Sequence, residues 1–310
     1  MKGNRGITAR AGGAFAAVLL AAVMAGCATR EFTVDTARAA AARGDARAQC
    51  FLARCYTRGQ GVPQDYARAA GYFRQAASQG CATAQSDLGA FYAEGWGVPQ
   101  DYTEAIKWFR LAAEQGDPLA QYSMGMSYEL GRGVATNLTE GIRWYERAAA
   151  RGVVEAQLEL GNLHLGGRGV PVDYRIAQKW YRKAAAQHSA TAVNALGYIC
   201  EEGGFGVPKD LTKAAAYYRQ AARAGDGKAQ ANLGRAYLEG LSVPKDPVEA
   251  YKWFSLASTN GGASAGHYMD ELAGIARYGD YAGPSLTADQ MKEALRRAAE
   301  FQACPWNQKP

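Results

Sequence analysis

The aromatic pair Trp108-Phe109 returns along the chain as Tyr72-Phe73, Trp144-Tyr145, Trp180-Tyr181, Tyr217-Tyr218 and Trp253-Phe254. Successive pairs are 36, 36, 36, 37 and 36 residues apart. Asp101 returns on the same steps as Asp65, Asn137, Asp173, Asp210 and Asp246. A fixed period of this size specifies a repeat architecture in which each unit packs on its neighbours. That constraint outweighs chain length, because 310 residues would otherwise suit one large domain or two ordinary ones. It also bears on function, since stacked arrays display extended binding surfaces.

Each period holds two stretches in which apolar residues recur every three or four positions, the helical spacing. The first reads A-Q-x-x-L-G-x-x-Y-x-x-G, as in Ala84-Gln85, Leu88-Gly89, Tyr92 and Gly95. The second reads D-Y-x-x-A-x-x-W-Y-x-x-A-A-x-x-G, as in Asp101-Tyr102, Ala105, Trp108-Phe109, Ala112-Ala113 and Gly116. Between them a Gly-x-Gly-Val-Pro-x-Asp loop turns the chain, and its Asp or Asn is placed to cap the second helix. Pro63, Pro99, Pro171, Pro208 and Pro244 keep that loop out of helix. Gly80, Gly116, Gly152, Gly225 and Gly261 are placed to close the second helix in a left-handed conformation. Gly89, Gly125, Gly161, Gly197 and Gly234 fall inside the first helix, where glycine costs up to about 1 kcal/mol against alanine. Close approach of the neighbouring helix through its aromatic pair would compensate that cost.

The pattern resembles the Sel1-like repeat, a relative of the tetratricopeptide repeat, over residues 45–262 in six units. The resemblance implies an all-α fold: a right-handed α-solenoid of helix-turn-helix repeats, first helices lining the concave face and second helices outside. Residues 28–44 supply a linker and an N-terminal capping helix over Thr33–Arg43. Residues 263–310 supply a degenerate first helix (Ala263–Ala276), a loop with Pro284, and a capping helix from Leu286 to about Gln302 with a Thr287/Gln290 capping box. Departures cluster between 188 and 206. His188 replaces the closing glycine, Val193 replaces the usual glutamine, and the loop Glu202–Val207 has one extra residue. They predict a looser stack there. Farther back, Ala135-Thr136-Asn137 lacks the proline but keeps a capping side chain.

Motifs that would carry chemistry are weak. Gly262-Ala263-Ser264-Ala265-Gly266 matches G-x-S-x-G, but a nucleophile elbow follows a strand and none is expected here. His164, His188 and His267 lie in separate repeats, and there is no H-E-x-x-H or C-x-x-C, so neither a metal nor a cofactor is expected. Gly166-Gly167-Arg168-Gly169 lacks the strand and the spacing of a dinucleotide loop. Cys55 and Cys200 fall at core positions; Cys50 and Cys81, on adjacent first helices, are the one pair spaced for a bridge; Cys304 is in the tail. The odd number beyond Cys27 leaves at least one thiol over. Nucleic acid is not expected as a partner, because residues after 27 carry 32 basic against 29 acidic side chains with no basic stripe.

What the repeats do not share lies beside the Leu-Gly pair of each first helix. The positions are Phe51 and Arg54, Asp87 and Ala90, Ser123 and Met126, Glu159 and Asn162, Ala195 and Tyr198, Asn232 and Arg235, Tyr268 and Glu271. If first helices line the concave face, these side chains are exposed there and bind a protein or peptide. The expected function is therefore a non-enzymatic scaffold with no small-molecule substrate. Members of the family it resembles act as adaptors in envelope assembly and signalling, and as immunity proteins that neutralise a toxin. Cysteine-rich relatives have been linked to β-lactam binding, which makes a weak cell-wall enzyme the alternative of another class. No K-T-G pattern accompanies it.

Residues 1–27 read as an export signal: Lys2, Arg5 and Arg10 precede the apolar run Ala11–Ala25, too short to span a membrane. Met24-Ala25-Gly26-Cys27 resembles the lipobox of bacterial lipoproteins, in which the cysteine is lipidated. The resemblance implies a lipid anchor on Cys27 and, with Ala28 following, sorting to the outer membrane facing the periplasm, where the partner would be another envelope protein. Acyl label is expected on the wild type and not on Cys27→Ser; equal labelling of both contradicts the anchor.

Overall fold

The computed structural model describes residues 32–262, 265–274 and 285–301. Among them the backbone forms fifteen α-helices and no strand. The one pairing of extended backbone there is an isolated bridge, Gly204 to Val207, in the longest inter-helix loop of the repeats. Helix α1 is Val34–Ala42. Six helix pairs follow: α2 (Ala46–Arg58) with α3 (Tyr66–Ser78), α4 (Ala82–Glu94) with α5 (Tyr102–Glu114), α6 (Pro118–Leu130) with α7 (Leu138–Ala150), α8 (Val154–Gly166) with α9 (Tyr174–Ala186), α10 (Ala190–Glu202) with α11 (Leu211–Arg223), and α12 (Gly227–Glu239) with α13 (Pro247–Thr259). The chain ends in α14 (Ala265–Leu272) and α15 (Ala288–Glu300). Packing divides it into two compact units, residues 1–156 and 157–310.

Both ends are closed by short-range chemistry. Thr33 and Thr36 form a capping box that opens α1, and Thr287 and Gln290 form another that opens α15. α1 lays Ala37, Ala40 and Ala41 against Leu52 of α2. α15 packs on α13. The degenerate helix is shorter than the sequence predicts. It stops at Leu272, because Gly274 turns the chain at φ 72°; Ala263 and Ala276, its expected ends, lie outside the described residues. α15 likewise stops at Glu300, short of Gln302: Phe301 is extended and places its ring 5.2 Å from Trp253.

Each second helix opens on the predicted cap. Asp65, Asp101, Asn137, Asp173, Asp210 and Asp246 accept from backbone N–H groups one turn ahead. Their own N–H groups donate back to the first helix, as from Asp101 to the Tyr92 carbonyl at 2.9 Å. One residue thus starts a helix and fastens the hairpin. In the loop, Gly97 has φ 66°, and a Cβ on it would collide with the Tyr66 carbonyl of the preceding repeat. The helix-closing glycines have φ between 82° and 92°. His188 takes that place at φ 65°, a left-handed backbone that a side chain adopts only with strain.

In five of the six first helices an interior glycine receives the second ring of the aromatic pair; in α2 Ala53 stands at that position. A Cβ added at Gly89, Gly125, Gly161, Gly197 or Gly234 would lie 2.5–2.8 Å from a ring carbon of Phe109, Tyr145, Tyr181, Tyr218 or Phe254. Those rings are at most 2% exposed. Burying one contributes on the order of 1.5–3 kcal/mol, more than the glycine costs.

A second recurring device crosses from repeat to repeat. Buried Gln85 donates to the Ala77 carbonyl at the end of α3 and accepts from Gln115 at the end of α5. Gln49, Gln121 and Gln230 repeat the first bond, and Gln49, Gln157 and Gln230 the second. Val193, which is buried, replaces this amide in α10 and offers neither bond.

Two glycines should respond in opposite directions. Gly125→Ala forces a methyl into the Tyr145 ring and is expected to lose about 1–3 kcal/mol. Gly71, inside α3, has open space where its Cβ would be, and Gly71→Ala should gain up to about 1 kcal/mol. Urea midpoints of both variants check this; equal shifts contradict the ring-on-glycine contact.

Candidate functional site

The variable positions of the first helices prove to be of three kinds. Asp87, Ser123 and Met126, expected on an exposed face, are instead buried at 6%, 0% and 6% exposure, as is Ala90. Their neighbours Ser86, Gly89, Gly125 and Ser127 are buried as well. Side chains flanking the Leu-Gly pair then enter the seam between helices. Arg54 of α2 spans that seam, donating to the Asp87 carboxylate of α4 from Nε at 3.2 Å and Nη2 at 3.0 Å. Ser123 Oγ has no hydrogen-bond partner. Phe51 is half-buried, its ring 5.9 Å from Phe32.

A second group is exposed or half-exposed but committed to neighbours. In residues 157–310, Asn162 accepts from the buried Tyr181 hydroxyl at 2.8 Å and lies 3.5 Å from Glu159. Asn232 donates to Asn194 at 3.0 Å. Arg235 donates to Glu201 at 2.6 Å, and the same carboxylate receives the Tyr218 hydroxyl at 2.6 Å. With Tyr218 and Asn232, this Arg235–Glu201 pair lines a shallow hollow between α11 and α12. Burial, then the bond to Glu201, drives the Tyr218 phenol far above its usual range. At the chain's end Tyr268 stacks on Phe254 at 4.7 Å and Glu271 is buried.

The third kind is open aromatic surface. Tyr198, on α10, is 41% exposed. Phe205, at the tip of the longer loop, is 59% exposed and has its ring 5.0 Å from that of Tyr174, the first residue of α9. Partial burial and the nearby Glu202 push the Tyr198 phenol upward, and Tyr174 and Glu201 add to the effect. Sequence reasoning finds Tyr198 and misses Phe205 and Tyr174. The signal was present: the one loop with an extra residue carries an aromatic at its tip. Phe205 itself is held at φ 46° between Gly204 and Gly206.

Other candidates gain nothing from the structure. His164 is half-buried with Nδ1 unpartnered, while His188 and His267 are exposed. Among the described residues no group of three or more His, Cys, Asp or Glu is placed to hold a metal. Ser264 lies outside the described residues; the run containing it joins helix α13 to helix α14, not a strand to a helix. Cys55 and Cys200 are buried as expected. Cys27 and Cys304 lie outside the described residues. Among the described residues no helix is long and apolar enough to cross a membrane.

Helical hairpins stacked in register, with their polar groups mostly spent on one another, define an α-solenoid repeat protein. The Sel1 repeat matches residues 46–81, 82–117, 118–153, 154–189, 190–226 and 227–262. The chain belongs to the Sel1 repeat family, a protein-interaction fold. It is similar to the crystal structure of c5321, a protective antigen present in uropathogenic Escherichia coli strains, with 33% identity, a TM-score of 0.74 and coverage of 87% of this chain. The chain spans only 56% of that protein's length. It is also similar to a Sel1 repeat protein from Oxalobacter formigenes, with 30% identity, a TM-score of 0.65 and coverage of 77% of this chain and 94% of the other. No curated protein sequence gives a significant match.

The Arg54–Asp87 pair gives a test of the seam. Burial pushes the Asp87 carboxyl from its ordinary 3.8 up to about 6, against the pull of Arg54. An acid with a raised folded pKa stabilises the fold when protonated, and that contribution is lost as pH rises through the folded value. Removing Arg54 raises the folded value further. Arg54→Ala is thus expected to lose about 3–5 kcal/mol at about pH 8 and to recover part of it by about pH 5. Urea titrations at both pH values decide; a pH-independent loss contradicts a buried Asp87 charge.

Proposed function

We propose that this protein is a non-enzymatic scaffold that binds a protein or peptide partner, with the exposed aromatics Tyr198 and Phe205 as its anchor. The observation that carries the reading is the contrast between that surface and the rest of the first helices. Arg54, Asp87, Asn162, Asn232 and Arg235 are tied into hydrogen bonds within the protein. Tyr198 and Phe205 remain open to solvent on a rigid support. Exposed aromatics of this kind supply the large contact area and the energetic hot spots of protein interfaces. Because a helix already holds Tyr198 in place, little ordering entropy is left for it to lose on binding. The charged rim of Glu201 and Arg235 adds orientation to the contact.

The same proposal places the protein in a bacterial envelope, anchored through a lipid on Cys27 to the outer membrane and facing the periplasm. The positive, apolar and lipobox segments of residues 1–27 support this. So does the description of the E. coli relative as a protective antigen. The partner is then another envelope protein or a peptide segment of one, and a partner that proves to be a toxin makes the scaffold an immunity protein.

Affinity capture from envelope extract tests the reading. Tyr198→Ala and Phe205→Ala are each expected to weaken capture of one partner at least about 30-fold, the effect of losing a hot spot of about 2 kcal/mol. Leu111→Ala, which removes an exposed leucine of α5 in residues 1–156, should leave it unchanged. An identical partner list for all three moves the site elsewhere. Covalent labelling of the purified protein by a penicillin overturns the non-enzymatic assignment.

A further inference from the structure

Cys50, in the middle of α2, and Cys81, at the N-cap of α4, stand with their sulfurs 3.6 Å apart. Helices fix both positions. Forming a bond of about 2 Å needs the sulfurs to close by about 1.5 Å, a displacement that side-chain rotation about Cα–Cβ supplies. Cys50 is buried and Cys81 is half-exposed, so only one of the two thiols meets a reagent first.

The repeat itself shows what this position is built to hold. In four of the other five first helices the N-cap residue is Asp45, Asp117, Ser189 or Asp226, each accepting from backbone N–H groups; Val153 stands at that place before α8. One repeat further on, Ser86 and Asp117 occupy the places of Cys50 and Cys81, with the same separation of 31 residues. There the Ser86 hydroxyl donates to the Asp117 carboxylate. In that repeat the scaffold pairs a buried donor on one first helix with an anion at the start of the next. Where both residues are cysteine, the same geometry pairs a thiol with a thiolate at a helix N-terminus, a setting that favours the charged form. The bond from Cys50 pulls Cys81 down to about 5, Thr83 Oγ1 lies 3.3 Å away, and the same bond together with burial drives Cys50 upward.

We infer that Cys50 and Cys81 are an exchange-competent dithiol that forms a disulfide stapling α2 to α4, with a disulfide-bearing thiol compound or protein as the electron acceptor. The Cys81 thiolate attacks one sulfur of the acceptor disulfide. That S–S bond breaks and its other half leaves as a thiolate, which takes up a proton. Cys50 then loses its proton and attacks the Cys81 sulfur of the mixed disulfide, releasing the second half as a thiol. The two cysteines are oxidised by two electrons, one acceptor disulfide is reduced to two thiols, and the two protons come from the cysteines. The assignment is independent of the binding partner and of where the chain resides.

Oxidised glutathione is the probe. The reduced full-length chain is incubated with it, quenched with iodoacetamide and digested with trypsin, which cuts after Arg54 and so separates Cys50 from Cys55. The expected product links peptide 48–54 to peptide 75–107 with the loss of two hydrogens and of both alkylation sites. Dithiothreitol should restore both sites. In Cys50→Ser, Cys81 is expected to stop as a glutathione mixed disulfide. In Cys81→Ser, Cys50 should carry no glutathione and alkylate only after unfolding. Wild-type Cys81 that stops at the mixed disulfide, or Cys50 and Cys81 both alkylatable after glutathione treatment, overturns the proposal. Circular dichroism of each variant confirms that the outcome is read on folded protein.

Discussion

The fold depends on an aromatic ring lying flat against a helix backbone. At Gly89 the ring is Phe109, at Gly125 Tyr145, at Gly161 Tyr181, at Gly197 Tyr218 and at Gly234 Phe254. A Cβ at these five positions would meet the ring, so glycine is kept inside the helix at a cost of up to about 1 kcal/mol. The buried ring more than offsets it. This contact sets the distance between the helices of each pair, and everything outward from it follows. The capping aspartate reaches the first helix because the hairpin is this tight, and the loop glycine touches the preceding repeat for the same reason.

Close packing imposes a polar accounting on the rest of the sequence. A buried tyrosine in place of phenylalanine needs an acceptor for its hydroxyl, and the first helix supplies one: Glu129 for Tyr145, Asn162 for Tyr181, Glu201 for Tyr218. Where the ring is Phe109, alanines 90 and 93 stand at the corresponding positions. Some variation between repeats is therefore a response to the core and not to a ligand. The glutamine bridges answer the same demand at helix ends, where carbonyls otherwise lack partners. Once these obligations are met, little of the first-helix surface is free to recognise anything else. The exposed aromatics Tyr198 and Phe205 stand out because no internal requirement explains their exposure.

Much of this was legible in the sequence. The period of the aromatic pair, the interior glycines and the Asp or Asn before each second helix announce helix pairs, their closure and their caps, because these depend on residues within one repeat or one repeat apart. The candidate surface was legible only in part. Reading outward from the Leu-Gly pair correctly finds Tyr198 as exposed. It fails for Asp87, Ser123 and Met126, since helical periodicity gives the direction of a side chain but not how near the next helix comes. Phe205 and Tyr174 belong to different repeats, and nothing local signals that their rings meet.

The sequence by itself determined the number of repeats, the positions of helices, caps and turns, and the class of fold, since a periodic pattern encodes contacts that recur at fixed separations. The tertiary structure decided which variable residues are spent inside. The separation of neighbouring first helices depends on the bulk of many side chains at once, and a few ångströms determine whether a side chain meets water or a partner across the seam. For that reason Arg54 and Asp87 become a buried ion pair, and Cys50 and Cys81 are brought within 3.6 Å, although only their spacing hinted at it.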